Sequence, residues 1–178
     1  MAIIKEYPKI IVVTGAESTG KSILIKQLAK HYNAPYYPEY AREYISQLDR
    51  KYTFRDIEII AEKQAGQYEQ ALHASSEFVF FDTWLIITKV WFEVVFNECP
   101  RWVIGELQSA KIRGFLLNDI DIPWEPDPLR ENGGEKRRLL HRTYIQNLKD
   151  FGFQYCLNSG ANEIRKQNAI KSIEEKFR

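Results

Sequence analysis

The stretch "IIVVTGAESTGKS", residues 10–22, decides the fold. Four consecutive apolar residues, Ile10 to Val13, read as a strand covered on both faces, the pattern of a parallel sheet. Gly15 and Gly20 bound a loop, and Lys21 opens a helix carrying Ile23, Leu24, Leu28 and Tyr32 at helical spacing through Tyr32. Gly15 to Ser22 satisfies G-x-x-x-x-G-K-[ST] at each defined position, in the strand–loop–helix context that gives this motif its meaning. Glycines let the backbone fold tightly enough for successive N–H groups to face one anion. The helix N-terminus adds its dipole and its unpaired donors. Gly15, Glu17, Ser18, Thr19, Gly20, Lys21 and Ser22 therefore form the expected cradle for ATP phosphates. Lys21 would reach the β and γ phosphates, and the Ser22 hydroxyl would ligate Mg²⁺. The competing reading is a glycine-bounded turn that matches by accident.

Working outward, Pro35 and Pro38 bracket a short extended piece at Tyr36 and Tyr37, the second strand of the pattern. A helix is expected from about Ala41 to Leu48. Thr53, three residues before Asp56, has the spacing of a capping box and leads a long amphipathic helix with Ile57, Ile60, Ala61, Tyr68 and Leu72 on one face. "FVFF" at Phe78 to Phe81 is a second fully apolar strand. The apolar helix after Asp82 ends near Cys99 and Pro100, and Pro100 suits the first turn of a further helix through Leu107. "GFLL" at Gly114 to Leu117 is a strand, 135–150 a helix stopped by Gly152, 153–157 the last strand and 162–177 the last helix. Strands alternating with helices imply parallel βαβ units, five strands in one sheet covered by helices, and one domain over residues 1–178.

Composition narrows the function classes. The net charge of +1 offers no global field for nucleic acid or an anionic membrane, so phosphate recognition must come from locally placed groups. Cys99 and Cys156 stand far apart and outside any CxxC pattern, which fits a reduced compartment and structural thiols. "WLIITKVWFEVVF", residues 84–96, contains Lys89 and Glu93 and falls short of the ~20 residues that span a bilayer. The N-terminus lacks the form of a signal sequence. A cytoplasmic protein without membrane or nucleic-acid partners is expected, with oligomeric state left open. His31, His73 and His141 have no metal-site spacing.

Three further segments carry candidate chemistry. Asp82 closes the strand "FVFFD" at the edge where parallel α/β sheets bind ligands, and would hold Mg²⁺ together with Ser22. Its alternative role is to cap the next helix. In "PEYARE", Glu39 falls on the same edge if the second strand is parallel to the first. A carboxylate there can take a proton from a substrate hydroxyl, and Arg42 can bind an anion. A solvated acidic helix start explains those residues equally well. Finally, "DIPWEPDPLRENGGEKRR" combines Gly133 and Gly134 with Arg130, Lys136, Arg137 and Arg138. It reads as a short lid, about 119–138, bringing Arg130 to a transferring phosphoryl group.

Taken in order, "TGAESTGKS", "EYARE", "FFDTWLIITKVW" and "NDIDIPWEPDPLRENGG" resemble the kinase domain of NadR-type proteins, the ribosylnicotinamide kinases, and the wider group of NadR-like AAA-type ATP-binding proteins. The similarity runs from about Ile10 to Ile173. The resemblance implies a three-layer α/β/α P-loop NTPase fold like that of nucleoside monophosphate kinases. It implies an ATP- and Mg²⁺-dependent kinase that converts nicotinamide riboside to nicotinamide mononucleotide by transfer to the 5′-hydroxyl. Carried over by position, Lys21, Glu39, Asp82 and Arg130 would be catalytic. Glu39, Tyr40, Arg42, Trp124 and Asp127 would bind the substrate. Full-length NadR proteins add a nucleotidylyltransferase domain and often a helix-turn-helix; this sequence shows no H-x-G-H motif. Where some members read D-T-D after the third strand, this sequence reads Asp82-Thr83-Trp84. The rival readings are an ATP-binding regulatory module without catalysis, and a kinase for another nucleoside or nucleotide.

Overall fold

The computed structural model of the chain describes residues 7–126 and 132–178. Its elements run β1 (Lys9–Thr14), α1 (Lys21–Tyr32), β2 (Tyr36–Tyr37), α2 (Tyr40–Ser46), α3 (Phe54–Ala71), β3 (Phe78–Asp82), α4 (Leu85–Phe96), α5 (Arg101–Ser109), β4 (Ile112–Asn118), α6 (Gly134–Asp150), β5 (Tyr155–Asn158) and α7 (Asn162–Ser172), with a π-helical turn at Ile173–Phe177. The five strands form one parallel sheet in the order β2-β3-β1-β4-β5. The short piece between the two prolines is a true strand, pairing Tyr36 with Phe80 and Tyr37 with Phe81.

Alternation along β1 splits the core into two layers. Ile10 and Val12 face a cluster drawn from α3, α4, α5 and α6, including Ile60, Phe92, Val103 and Leu148. Ile11 and Val13 face Leu24, Ile25 and Leu28 of α1 together with Ala169 of α7, Ile173 and Phe177. The result is the expected three-layer α/β/α sandwich, and the central strands β1, β3 and β4 are covered on both faces over most of their length. α4, the most apolar segment, is a twelve-residue helix packed in the first layer, and no helix among the described residues is long and apolar enough to cross a membrane.

The chain leaves β1 toward β2 on one side and leaves β4 toward β5 on the other. The carboxyl ends of these two adjacent strands are therefore a topological switch point, where ligands bind in open α/β sheets.

Two local devices hold the frame. The Phe177 ring packs directly on Gly114 of β4, and a Cβ at Gly114 would stand 2.3 Å from it. Arg113 secures the same turn by donating from Nε to the Phe177 carbonyl at 2.7 Å. The second device is Asp56, buried at the start of α3. It accepts from the Thr53 N–H at 2.7 Å and hydroxyl at 2.6 Å, from Arg50 at 2.7 and 2.9 Å, and from the Tyr44 hydroxyl at 3.0 Å. The capping box read from Thr53 is thus present in both directions, and Tyr44 extends it to tie α2 to α3. The Arg50 guanidinium first, and then the Thr53 hydroxyl, hold the Asp56 carboxyl far below the usual carboxylate range.

Two predictions follow from these contacts. Gly114→Ala should cost about 1–3 kcal/mol of unfolding free energy in denaturant titrations through overpacking, and distinctly less in a Phe177→Leu background. Asp56→Asn should lower the melting temperature at neutral pH. A carboxyl whose folded pKa is depressed stabilises above its unfolded pKa, about 4, and loses that contribution as pH falls. The gap between variant and parent should therefore close as pH drops below about 4; a pH-independent gap would assign the effect to packing.

Candidate functional site

The loop between β1 and α1 is built by backbone constraint. Gly15 has φ of 136°, and a Cβ there would stand 2.8 Å from the Asn118 carbonyl, so the end of β1 passes too close to β4 for any larger residue. Gly20, at φ 75°, is the N-cap of α1 and supplies no side-chain cap, and the first turn of α1 contains no acidic residue. The donors at this helix end are thus left facing the loop, as an anion site requires. Ser18 also takes a left-handed conformation, at φ 57°. Thr19 closes the turn by donating from its hydroxyl to the Ala16 carbonyl at 2.9 Å. The Lys21 ammonium donates to that same carbonyl at 3.1 Å.

Register sets the next group. Asp82 is opposite Val13 at the end of β3, and Ser22 in the first turn of α1 donates to its Oδ2 at 2.5 Å. The other carboxylate oxygen is buried without a partner. Burial raises the Asp82 carboxyl above its ordinary range, against the Lys21 ammonium and the Ser22 hydroxyl, which lower it. Asp82 does not cap the next helix: α4 begins at Leu85 with Trp84 in the N-cap position. Between them Thr83, a buried β-branched residue, sits at φ 61°, with its N–H donating to the Val13 carbonyl at 2.9 Å. Such a conformation costs on the order of 1–3 kcal/mol, and here it turns the chain sharply after Asp82. Trp84 is fully buried, donates from its indole N–H to the Gln64 carbonyl at 3.3 Å and packs against Tyr68. Trp84 is therefore a core anchor.

Glu39 lies two residues beyond β2 and is the N-cap of α2, but its side chain makes no capping bond. Among the described residues no donor is bonded to its carboxylate. Burial raises that carboxyl, the Lys21 ammonium pulls it down, the Asp82 carboxylate pushes it up, and Arg42 and Glu17 exert smaller effects. Five charged groups from four segments, Glu39 and the four that act on it, therefore lie within electrostatic reach at the carboxyl edge of the sheet, where the switch point forms a cleft. Tyr40 faces a different neighbourhood, beside the Tyr44 ring and under the Lys63 ammonium, 5.7 Å from its centroid. Tyr144 of α6, buried in the core and unheralded by any motif, lies within electrostatic reach of Glu17 and Glu39. Burial raises its hydroxyl pKa, and the nearby carboxylates of Glu17 and Glu39 raise it further.

The segment after β4 lies against the loop. The Glu17 carboxylate accepts from the Asn132 N–H at 3.0 Å and its side-chain amide at 2.9 Å, and the Ser18 hydroxyl accepts from the Glu125 N–H at 3.0 Å. Trp124 packs on Gly133, its ring 3.3 Å from where a Cβ would stand, with the indole N–H buried and unpartnered. Asp127 and Arg130 lie outside the described residues. The basic run splits: Arg138 pairs with exposed Glu135, whereas Arg137 is buried and bonds the loop backbone. Asn118 and Arg165 also bond that backbone, through the Thr19 carbonyl. Neither carries a sequence signal, since each is a lone polar residue in an otherwise ordinary strand or helix. Among the described residues no three His, Cys, Asp or Glu side chains converge as a metal cluster.

Comparison with known proteins agrees with this geometry. The AAA domain family matches residues 10–165. The trifunctional NAD biosynthesis/regulator protein NadR of Salmonella typhimurium is 23% identical over 154 residues, covering 84% of this chain and 38% of its own length. A NadR protein solved in complex with NR superposes with a TM-score of 0.77 at 23% identity, over 96% of this chain and 51% of that one. A NadR protein in complex with NAD and AMP-PNP gives 0.73 at 25% identity, over 96% and 50%. Deoxyadenosine kinase from M. mycoides shares the fold, with a TM-score of 0.63 at 15% identity over 93% and 97%. The chain thus spans about half or less of the NadR proteins it matches, and a whole nucleoside kinase. With the loop, the switch-point cleft and these matches in agreement, the chain belongs to the AAA domain family as a NadR-like P-loop domain.

Proposed function

We propose that this protein is an ATP-dependent phosphotransferase that phosphorylates the 5′-hydroxyl of nicotinamide riboside. The observation that carries the reading is the convergence of Lys21, the Ser22–Asp82 pair and an uncommitted Glu39 carboxylate in one cleft beside the phosphate loop. The likeness to a NadR protein holding NR supports this acceptor, and the one holding AMP-PNP supports ATP as donor.

In the proposed reaction the loop N–H groups and Lys21 bind the β and γ phosphates, with Lys21 exchanging the Ala16 carbonyl for phosphate oxygen. Glu39 accepts the proton of the 5′-hydroxyl as that oxygen bonds to the γ-phosphorus, and the bond to the β–γ bridging oxygen breaks to release ADP. Ser22 and Asp82 fit Mg²⁺: a hydroxyl and a carboxylate are hard oxygen donors, one carboxylate oxygen is buried and unpartnered, and few protein ligands suit an ion that keeps water and phosphate oxygens. When bound, Mg²⁺ neutralises charge on the β and γ phosphates. Trp124 and Asp127 are assigned to the nucleoside side and Arg130 to the transferring phosphoryl group, from the sequence motif. Arg42, whose charge reaches Glu39, is assigned to substrate binding; Tyr40, which packs on Tyr44 and Lys63, has that assignment from the sequence motif alone.

The test is acceptor-dependent ATP consumption across a panel of nucleosides. Nicotinamide riboside should give the highest kcat/KM. ATP binding without turnover on any acceptor would support the regulatory-module alternative, and preference for another nucleoside would reassign the substrate. Lys21→Ala should abolish turnover. Glu39→Gln should lower kcat by about 10²–10⁴-fold with little change in ATP affinity. Because burial raises the Glu39 carboxyl and the base must be ionised, the acid limb of the kcat profile should lie above the usual carboxylate range and vanish in Glu39→Gln. An unchanged profile would remove Glu39 as base.

A further inference from the structure

Three successive carbonyls of the phosphate loop are held from outside it. Arg137 of α6 donates from Nε to the Glu17 carbonyl at 3.1 Å and from Nη2 to the Ser18 carbonyl at 2.9 Å, while Nη1 reaches the Ile122 carbonyl at 2.9 Å. The Thr19 carbonyl accepts from Asn118 Nδ2 at 2.8 Å and from Nη1 of Arg165 of α7. Arg165 is fixed in turn by the Gly160 and Asp119 carbonyls and the Asp121 carboxylate. Both guanidinium groups are buried, with the residues 7% and 3% exposed.

The consequence follows from the peptide plane. In a trans peptide the carbonyl of one residue and the N–H of the next point in opposite directions, and every described peptide bond is trans. Carbonyls of Glu17, Ser18 and Thr19 drawn outward therefore turn the N–H groups of Ser18, Thr19 and Gly20 inward, where an anion would lie. The left-handed conformations of Ser18 and Gly20 are thus supported by partners outside the loop. Two buried cations behind the cradle also add positive potential without touching the ligand.

We infer that Arg137 and Arg165 are positioning residues that preset the loop for a nucleoside di- or triphosphate, making phosphate affinity depend on the docking of α6 and α7. The inference rests on the nucleotide-binding part of the proposed function and is independent of the acceptor. Lysine keeps the charge but lacks the planar fork that reaches two carbonyls at once.

Calorimetric titration with ADP and with AMP, in the absence of any acceptor, tests it. Arg137→Lys and Arg165→Lys should each weaken ADP about tenfold or more while changing AMP less, so that the ADP-to-AMP affinity ratio falls. Arg137→Gln should behave like Arg137→Lys, which also covers failure of one variant to fold. A purely structural role would lower the melting temperature with both affinities of the folded protein unchanged; a ratio within twofold of the parent in the folded variants would overturn the inference. Failure of the parent to phosphorylate any nucleoside would sink the kinase reading and leave this result standing.

Discussion

The site depends on β1 lying between β3 and β4 with their carboxyl ends level. Val13 is opposite Asp82 and Thr14 opposite Leu117, so the loop that leaves β1 must pass between a buried carboxylate and the Asn118 backbone. That alignment requires glycine at position 15 and brings Asp82 within reach of Ser22. It also lets Asn118 bond the loop from behind while Asn158 of β5 donates to Asn118 at 3.0 Å. A one-residue slip of β3 against β1 would turn Asp82 to the opposite sheet face and dismantle the cleft.

Burial gives the cleft its chemistry. Glu39 and Asp82 are both raised by desolvation, and the Lys21 ammonium opposes that rise in each. One cation thus moderates two carboxylates, and its movement onto a polyphosphate would bring new negative charge and shift both. Asp82 is already tied to Ser22, whereas Glu39 has no bonded donor among the described residues. The two carboxylates are thereby differentiated: one is bonded to a hydroxyl, the other has no bonded donor among the described residues.

Much of this was legible in the sequence because it is written locally. The loop motif, the strand before it, the capping box at Thr53 and the two unbroken apolar strands depend on near neighbours, and the structure has all of them. The two-residue strand at Tyr36 is less legible, since its pairing comes from β3, more than forty residues away. The sequence pattern reads as one helix continuous to Phe177; in the structure it widens into a π-helical turn from Ile173, with Phe177 against Gly114. What sequence reasoning missed is long-range and polar. Arg165 reaches Thr19 across 146 residues, and the sequence pattern groups Arg137 with Arg138 as lid charge although only Arg137 is buried. Trp84 carried its meaning as a departure from a pattern; burial against α3 explains it as core.

We propose that this cleft transfers the γ-phosphoryl group of ATP to a nucleoside 5′-oxygen. Phosphorus NMR of a reaction containing the protein, ATP, Mg²⁺ and nicotinamide riboside addresses it directly. A new phosphomonoester resonance is expected, split by the two 5′-methylene protons and growing in step with ADP. ADP accompanied only by inorganic phosphate, or no change in the ATP resonances, would contradict it.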